Sequence, residues 1–206
     1  VISLLKFEPL LQKAFLNNSP GENIRAFQNT ISELNSIELL MKYMNVCPIP
    51  YPELEGLLQE IRSCFLLLNS RLIGSPEILR FQSALAIQCF TNEYIYSQTP
   101  EESDALKKLE LELEGDLSRG IQPNPQSLLC LASYKALYEY EWCELLNLNS
   151  QIKEVFNRLI LEPKEEVRLR SNIPVLQNIT NKVSSRVQDQ YETNPYPRWV
   201  NLGLGT

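Results

Sequence analysis

The chain contains no histidine. That removes the commonest general base and the commonest metal ligand in one step. Seven glycines in 206 residues are few, which disfavours phosphate-cradling Gly-rich loops and all-β meanders. No G-x-G-x-x-G-like run exists, and Gly203 and Gly205 lie at the very end with no strand pattern before them. The five cysteines, Cys47, Cys64, Cys89, Cys130 and Cys143, are widely spaced and form no C-x-x-C pair, so the paired ligands of a zinc site are missing. Their odd number, with Cys64 and Cys89 inside apolar helical patterns, points to reduced core thiols and a cytoplasmic setting. No apolar run approaches the ~20 residues of a membrane span. The apolar start, VISLLKFEPLLQKAFL, is broken by Lys6, Glu8, Pro9 and Lys13, which fits neither a span nor a signal peptide. No membrane partner is expected. The first residue is Val rather than Met, so the chain is expected to be part of a longer polypeptide.

Basic residues are outnumbered 19 to 25, for a net charge of −6. That argues against a general nucleic-acid binder, because phosphate backbones reward clustered Lys and Arg. The balance is uneven. Residues 1–150 carry 11 basic and 19 acidic side chains, and residues 151–206 carry 8 and 6.

Against the few glycines stand thirteen prolines, and several mark helix starts. Tyr51-Pro52-Glu53, Ser75-Pro76-Glu77, Thr99-Pro100-Glu101 and Asn124-Pro125-Gln126 place their prolines 24, 24 and 25 residues apart. Proline suits the first helical position, where its missing N–H would be unpaired in any case. A preceding Ser, Thr or Asn caps the free amides, and a following Glu complements the helix dipole. Thr99 and Glu102 fit a capping box. The intervals suit helices of about five turns with short loops. They are not repeats: 53–69 is amphipathic, 79–96 is apolar nearly all round, and 101–119 is acidic.

Further helices are expected at about 2–16, 22–44, 149–161, 164–171 and 174–192, from apolar stripes at three- and four-residue steps. Leu109, Leu111 and Leu113 alternate with Glu110, Glu112 and Glu114, a strand-like pattern that the capping at 99–102 outweighs. The expected fold is all-α, a multi-helix orthogonal bundle with 79–96 at its centre and an extended Pro/aromatic C-terminal strap. The expected division is a helical accessory domain over 1–180, then a helix end and connector over 181–206.

Four groups could carry function. Gln88 and Asn92 share a face of the apolar run LRFQSALAIQCFTNEYIY. With Glu93, and with Tyr96 beside them, they line a polar pocket or tie this helix to neighbouring backbone. Tyr134, Tyr138, Tyr140 and Trp142 form a packed corner or a ligand platform. Residues 162–170 mix both charge signs, as an exposed helix start with ion pairs or as a docking surface. Pro195 and Pro197 make 194–198 extended. Tyr191, Tyr196 and Trp199 then project from a stiff strap that needs a surface to bury them. Arg198 supplies a planar donor fork.

The segment Arg186-Val187-Gln188-Asp189-Gln190-Tyr191-Glu192-Thr193-Asn194-Pro195-Tyr196-Pro197-Arg198-Trp199 resembles one in bacterial tetratricopeptide-linked S-adenosylmethionine-dependent methyltransferases. There it lies between a helical region and a class I methyltransferase domain. Residues 84–94 and 162–174 look similar to the same helical region. The resemblance implies a non-catalytic domain that docks or gates a following methyltransferase domain and holds a protein substrate or partner. It marks Tyr191, Asn194, Tyr196, Arg198 and Trp199 as the contact residues. S-adenosylmethionine is implied for the parent protein, and no residue of this chain matches the cofactor loop. The tetratricopeptide array of the family is also absent from the chain. The alternatives are a stand-alone helical interaction module and, last, a small-molecule-binding helical enzyme using Gln88, Asn92 and Glu93.

Overall fold

A computed structural model describes residues 2–16, 23–72, 74–170, 172 and 182–193. They are all-α, with no strand among them. The helices are α1 (Ile2–Leu5), α2 (Pro9–Leu16), α3 (Ile24–Asn35), α4 (Glu38–Val46), α5 (Pro52–Leu67), α6 (Pro76–Thr91), α7 (Pro100–Ser118), α8 (Pro125–Ala132), α9 (Lys153–Phe156), α10 (Glu162–Arg170) and α11 (Lys182–Thr193). The chain divides into two compact units, Val1–Pro163 and Lys164–Thr206. The division expected near residue 180 falls among residues outside the described set.

The four prolines open α5, α6, α7 and α8, each at the first turn. Thr99 and Glu102 form both halves of the capping box: Thr99 Oγ1 accepts from Glu102 N at 3.1 Å, and Glu102 Oε2 accepts from Thr99 N at 2.7 Å. Ser75 Oγ accepts from Ile78 N, and Asn124 Oδ1 from Gln126 N. Tyr51, the fourth residue of this kind, makes no side-chain cap. The Leu/Glu alternation of 109–113 is helical: Leu109 and Leu113 share a buried face while Leu111 points outward at 69% exposure.

Three expected helices break or stop early, each for a local reason. The stretch 2–16 is interrupted before Pro9, which lacks the N–H needed to continue. The stretch 22–44 turns at Ser36-Ile37, where Ser36 Oγ donates to the Glu33 carbonyl and Ile37 leaves the helical region at ψ 86°. The turn buries Ile37 itself and lets the stripes of both halves face the core. The central helix ends at Thr91 rather than continuing to 96. Glu93 and Tyr94 adopt left-handed backbone at φ 59° and 56°, a conformation that costs a non-glycine residue about 1 kcal/mol or more.

Helix α6 is the hub of the first unit. Eleven of its sixteen residues are buried, and it packs on α3, α4 and α8. Phe27 of α3, Phe65 of α5 and Phe81 of α6 meet ring to ring at 5.0 and 6.4 Å. Each such buried side chain stabilises the fold by about 1.5–3 kcal/mol. Tyr140 stacks on Trp142 at 4.5 Å in the segment after α8, while Tyr138 lies half exposed. Tyr140 and Trp142 are thus packed into the interior. After α9, residues Asn157–Leu161 form a π-turn in which Glu162 N–H reaches the Asn157 carbonyl five residues back. The widened turn comes immediately before Pro163, whose ring would otherwise press on the carbonyl of Leu159.

In the second unit, Arg168 grips Glu165 with two bonds of 2.6 and 2.7 Å on the exposed surface of α10. The guanidinium holds the Glu165 carboxyl below its ordinary range through that hydrogen bond. Helix α11 exposes Val183 and Val187, one turn apart.

Candidate functional site

The residues expected to line a polar pocket go three separate ways. Gln88 is fully buried. Oriented so that all its partners are satisfied, its Nε2 donates to the carbonyls of Met44 and Cys47, both at 3.0 Å, and its Oε1 accepts from Ile49 N at 3.1 Å. One amide thus closes the C-terminal end of α4 and the loop beyond it, where helix carbonyls have no partner of their own. Arg158 completes the end by donating to the Asn45 carbonyl at 2.5 Å. Asn92 Oδ1 accepts from Tyr94 N and supports the left-handed pair. Glu93 is exposed on the outside of that turn. Gln88 and Asn92 Oδ1 thus bind backbone, and Glu93 faces outward.

A charged centre lies deeper than the sequence reading foresaw. Arg62 of α5 and Glu102 of α7 are both 2% exposed and sit 3.6 Å apart. Arg62 Nη2 also donates to the Ser97 carbonyl at 2.6 Å. The guanidinium lies over the Tyr134 ring at 4.1 Å and the Tyr96 ring at 5.6 Å. Tyr134 Oη donates to Glu102 Oε1. One carboxylate therefore serves the α7 cap, a tyrosine and a buried cation together. Two signals could have pointed to it: Arg62 interrupts the apolar stripe of α5, and Glu102 is the third residue of a capping box.

Burial sets the ionisation of the remaining groups. It pushes the Cys64 thiol up to about 11, with Glu60 and Glu102 adding to the effect. It pushes Cys89 and Cys130 up to about 12. The Tyr96 and Tyr134 phenols rise as well, first by burial and, for Tyr134, also through its bond to Glu102. These shifts keep the groups neutral at physiological pH. Among the described residues, no cluster of three or more Cys, Asp and Glu could hold a metal ion, and no helix is long and apolar enough to cross a membrane.

A groove of about 560 Å³ lies between α4, α6 and residues 151–154. Met41, Leu79, Ala84, Ile87 and Ile152 form its apolar floor, and Lys42, Arg80, Glu38 and Glu154 stand on its rim. Its volume lies in the usual range for ligand sites. Composition alone gave no sign of it, because its walls come from segments over a hundred residues apart in sequence.

The strap residues Asn194, Tyr196, Arg198 and Trp199 lie outside the described residues. Tyr191 belongs to α11 by its backbone, and its side chain lies outside the described set. No family model, curated protein or solved structure matches the chain.

Proposed function

We propose that this chain is a non-catalytic helical accessory domain, working in the cytoplasm, that docks or gates a class I S-adenosylmethionine-dependent methyltransferase domain in its parent polypeptide and holds a protein substrate or partner. The observation that carries the reading is the segment from Arg186 to Trp199, whose Q-Y-E-x-N-P-Y-P-R-W pattern resembles the junction before such a catalytic domain. Tyr191, Asn194, Tyr196, Arg198 and Trp199 would make the interdomain contacts. The described residues fit the supporting role, since the buried Gln88, Gln82 and Arg62 side chains each join one helix to backbone elsewhere. They do not fit the cofactor. A class I site needs a strand feeding a Gly-rich loop, and no strand lies among the described residues. Methyl transfer is therefore assigned to no residue of this chain.

The test is to express the reading frame continued by about 250 residues, one domain's length, and titrate S-adenosylmethionine by calorimetry. Binding by the longer protein and none by this chain supports the reading. A longer protein that binds no cofactor removes the methyltransferase, and tight binding by this chain alone would show the site misplaced.

One observation favours a second reading, a helical protein-interaction module without an enzymatic partner in the same polypeptide. The α4–α6 groove offers a ready apolar seat whether or not a catalytic domain follows.

A further inference from the structure

Surface grooves between helices are common, so the question is what this one is built to accept. Its length follows from its walls. On α4 the lining residues Glu38, Met41, Lys42 and Asn45 fall on one face and span two turns, about 10 Å at 1.5 Å per residue. On α6 the lining runs from Pro76 to Ile87, about 16 Å. A trough of this length fits three to five extended residues at about 3.3 Å each. The floor can take an aliphatic or aromatic side chain from such a segment.

The rim then decides the charge. Glu38 is taken by Arg80, which grips both its oxygens at 2.9 Å. Glu154 is taken by Arg158 at 2.7 Å. Both acids of the rim are thereby neutralised by their neighbours. Lys42 is the rim charge that has no carboxylate within ion-pair distance among the described residues. An occupant that complements the groove therefore carries a negative group beside an apolar one.

A second observation concerns Ser83 in the wall. Ser83 is half-buried, whereas the buried Thr30, Thr91 and Ser133 each donate to the carbonyl four residues back. Ser83 Oγ is one of seven buried side-chain polar atoms with no hydrogen-bond partner among the described residues. The Oγ is shielded from solvent; a staggered step about its Cα–Cβ bond would be needed to offer it to the carbonyl of a bound backbone. An apolar floor, one uncompensated cation and an idle hydroxyl in the wall together describe a seat for a short stretch of polypeptide.

We infer that the α4–α6 groove binds an acidic–aliphatic peptide segment of a partner protein, its carboxylate on Lys42, its apolar side chain on the floor over Met41 and Ile87, and a backbone carbonyl near Ser83. This rests on the partner-holding part of the function proposed above and is independent of the methyltransferase part. Loss of S-adenosylmethionine binding in the extended protein would leave it standing.

The test pans a phage-displayed library of random heptapeptides on the 206-residue chain and measures the enriched sequences, synthesised with a fluorescein label, by fluorescence polarisation. Lys42→Glu reverses the rim charge, and Gln151→Trp places a large side chain at the groove mouth. Both positions are exposed, and unchanged thermal melts confirm that each variant folds. The expected result is peptides with Asp or Glu beside Leu, Ile or Phe, weakened about tenfold or more by either variant. Sodium decanoate is titrated in parallel. Three results overturn the inference: no enriched acidic–aliphatic sequence, peptides that bind both variants as tightly as the parent, or decanoate binding in the groove without any peptide binding there.

Discussion

Replacing Glu102 by Ala removes the carboxylate that pairs with Arg62 among the described residues. The Arg62 side chain is 2% exposed, so it is left as a buried cation whose described hydrogen bond goes to the Ser97 carbonyl. Breaking a buried pair from one side costs about 3–5 kcal/mol, and the surviving bond places this case near the low end. The same truncation frees Thr99 N from its capping-box acceptor, about 1 kcal/mol, and leaves the Tyr134 hydroxyl without its acceptor, about 1 kcal/mol. These losses share one side chain and do not simply add. A total of about 4 kcal/mol is expected, a large part of the 5–15 kcal/mol typical of a folded domain. Urea denaturation followed by circular dichroism at 222 nm and by tryptophan emission gives the change from the midpoint and slope. Thr99→Ala isolates the cap and should cost about 1 kcal/mol. Pairing Arg62→Met with Glu102→Leu removes both charges together and should be less harmful than Glu102→Ala alone. If Glu102→Ala costs no more than Thr99→Ala, the carboxylate is only a helix cap. If the double variant equals the sum of its single changes, the two charges do not interact, and the reasoning fails on either count.

Gln88→Leu keeps the volume of the side chain but leaves the Met44 and Cys47 carbonyls and the Ile49 amide without partners. A loss of about 2–4 kcal/mol in the same urea assay is expected, whereas a polar pocket residue with no structural task would cost well under 1 kcal/mol. Glu93→Gly relieves the left-handed strain at an exposed position; after the extra entropy of glycine in the unfolded chain, a gain of about 0.5–1 kcal/mol should appear as a raised midpoint. Stability should fall as pH rises above about 9, the ordinary thiol value, because the unfolded chain then releases protons that folded Cys89 and Cys130 keep until about 12. The contribution is fully present below pH 9 and declines by up to ~1.4 kcal/mol per pH unit per thiol across that window. Urea midpoints between pH 8 and 11 should show a shallower decline in Cys89→Ala/Cys130→Ala, and an unchanged slope would refute the assignment.

Helix starts were legible because they are written in single residues. A proline that fixes φ, a side chain that accepts from an amide two or three positions on, and an acid near the positive end act within one turn, so Thr99 and Glu102 could be read without tertiary knowledge. Helix ends were less legible. The stop at Thr91 depends on Asn92 and on a left-handed pair that no propensity favours, and the turn at Ser36-Ile37 depends on where the core lies. Gln88 stood out in the apolar run of α6 and Gln82 did not, and the partners of neither could be read. Gln88 meets backbone about forty residues earlier, and Gln82 donates to the Gln126 carbonyl far downstream. The groove was invisible for the same reason, since its shape is a property of three segments meeting. The strap at 194–199, the most informative stretch of sequence, lies outside the described residues, so its reading rests on pattern alone.

The Gln88 clamp also bears on how the chain comes apart. Helix α4 cannot close its own end; it borrows the amide from α6. Opening α4 therefore exposes two carbonyls and breaks the seat of the hub at the same time, so the two helices should open as one cooperative unit rather than fray separately. The Ile49 amide, held by Gln88 Oε1 in what is formally a loop, should then exchange its hydrogen as slowly as the amides in the middle of α6. A loop proton would thus become a gauge of global unfolding.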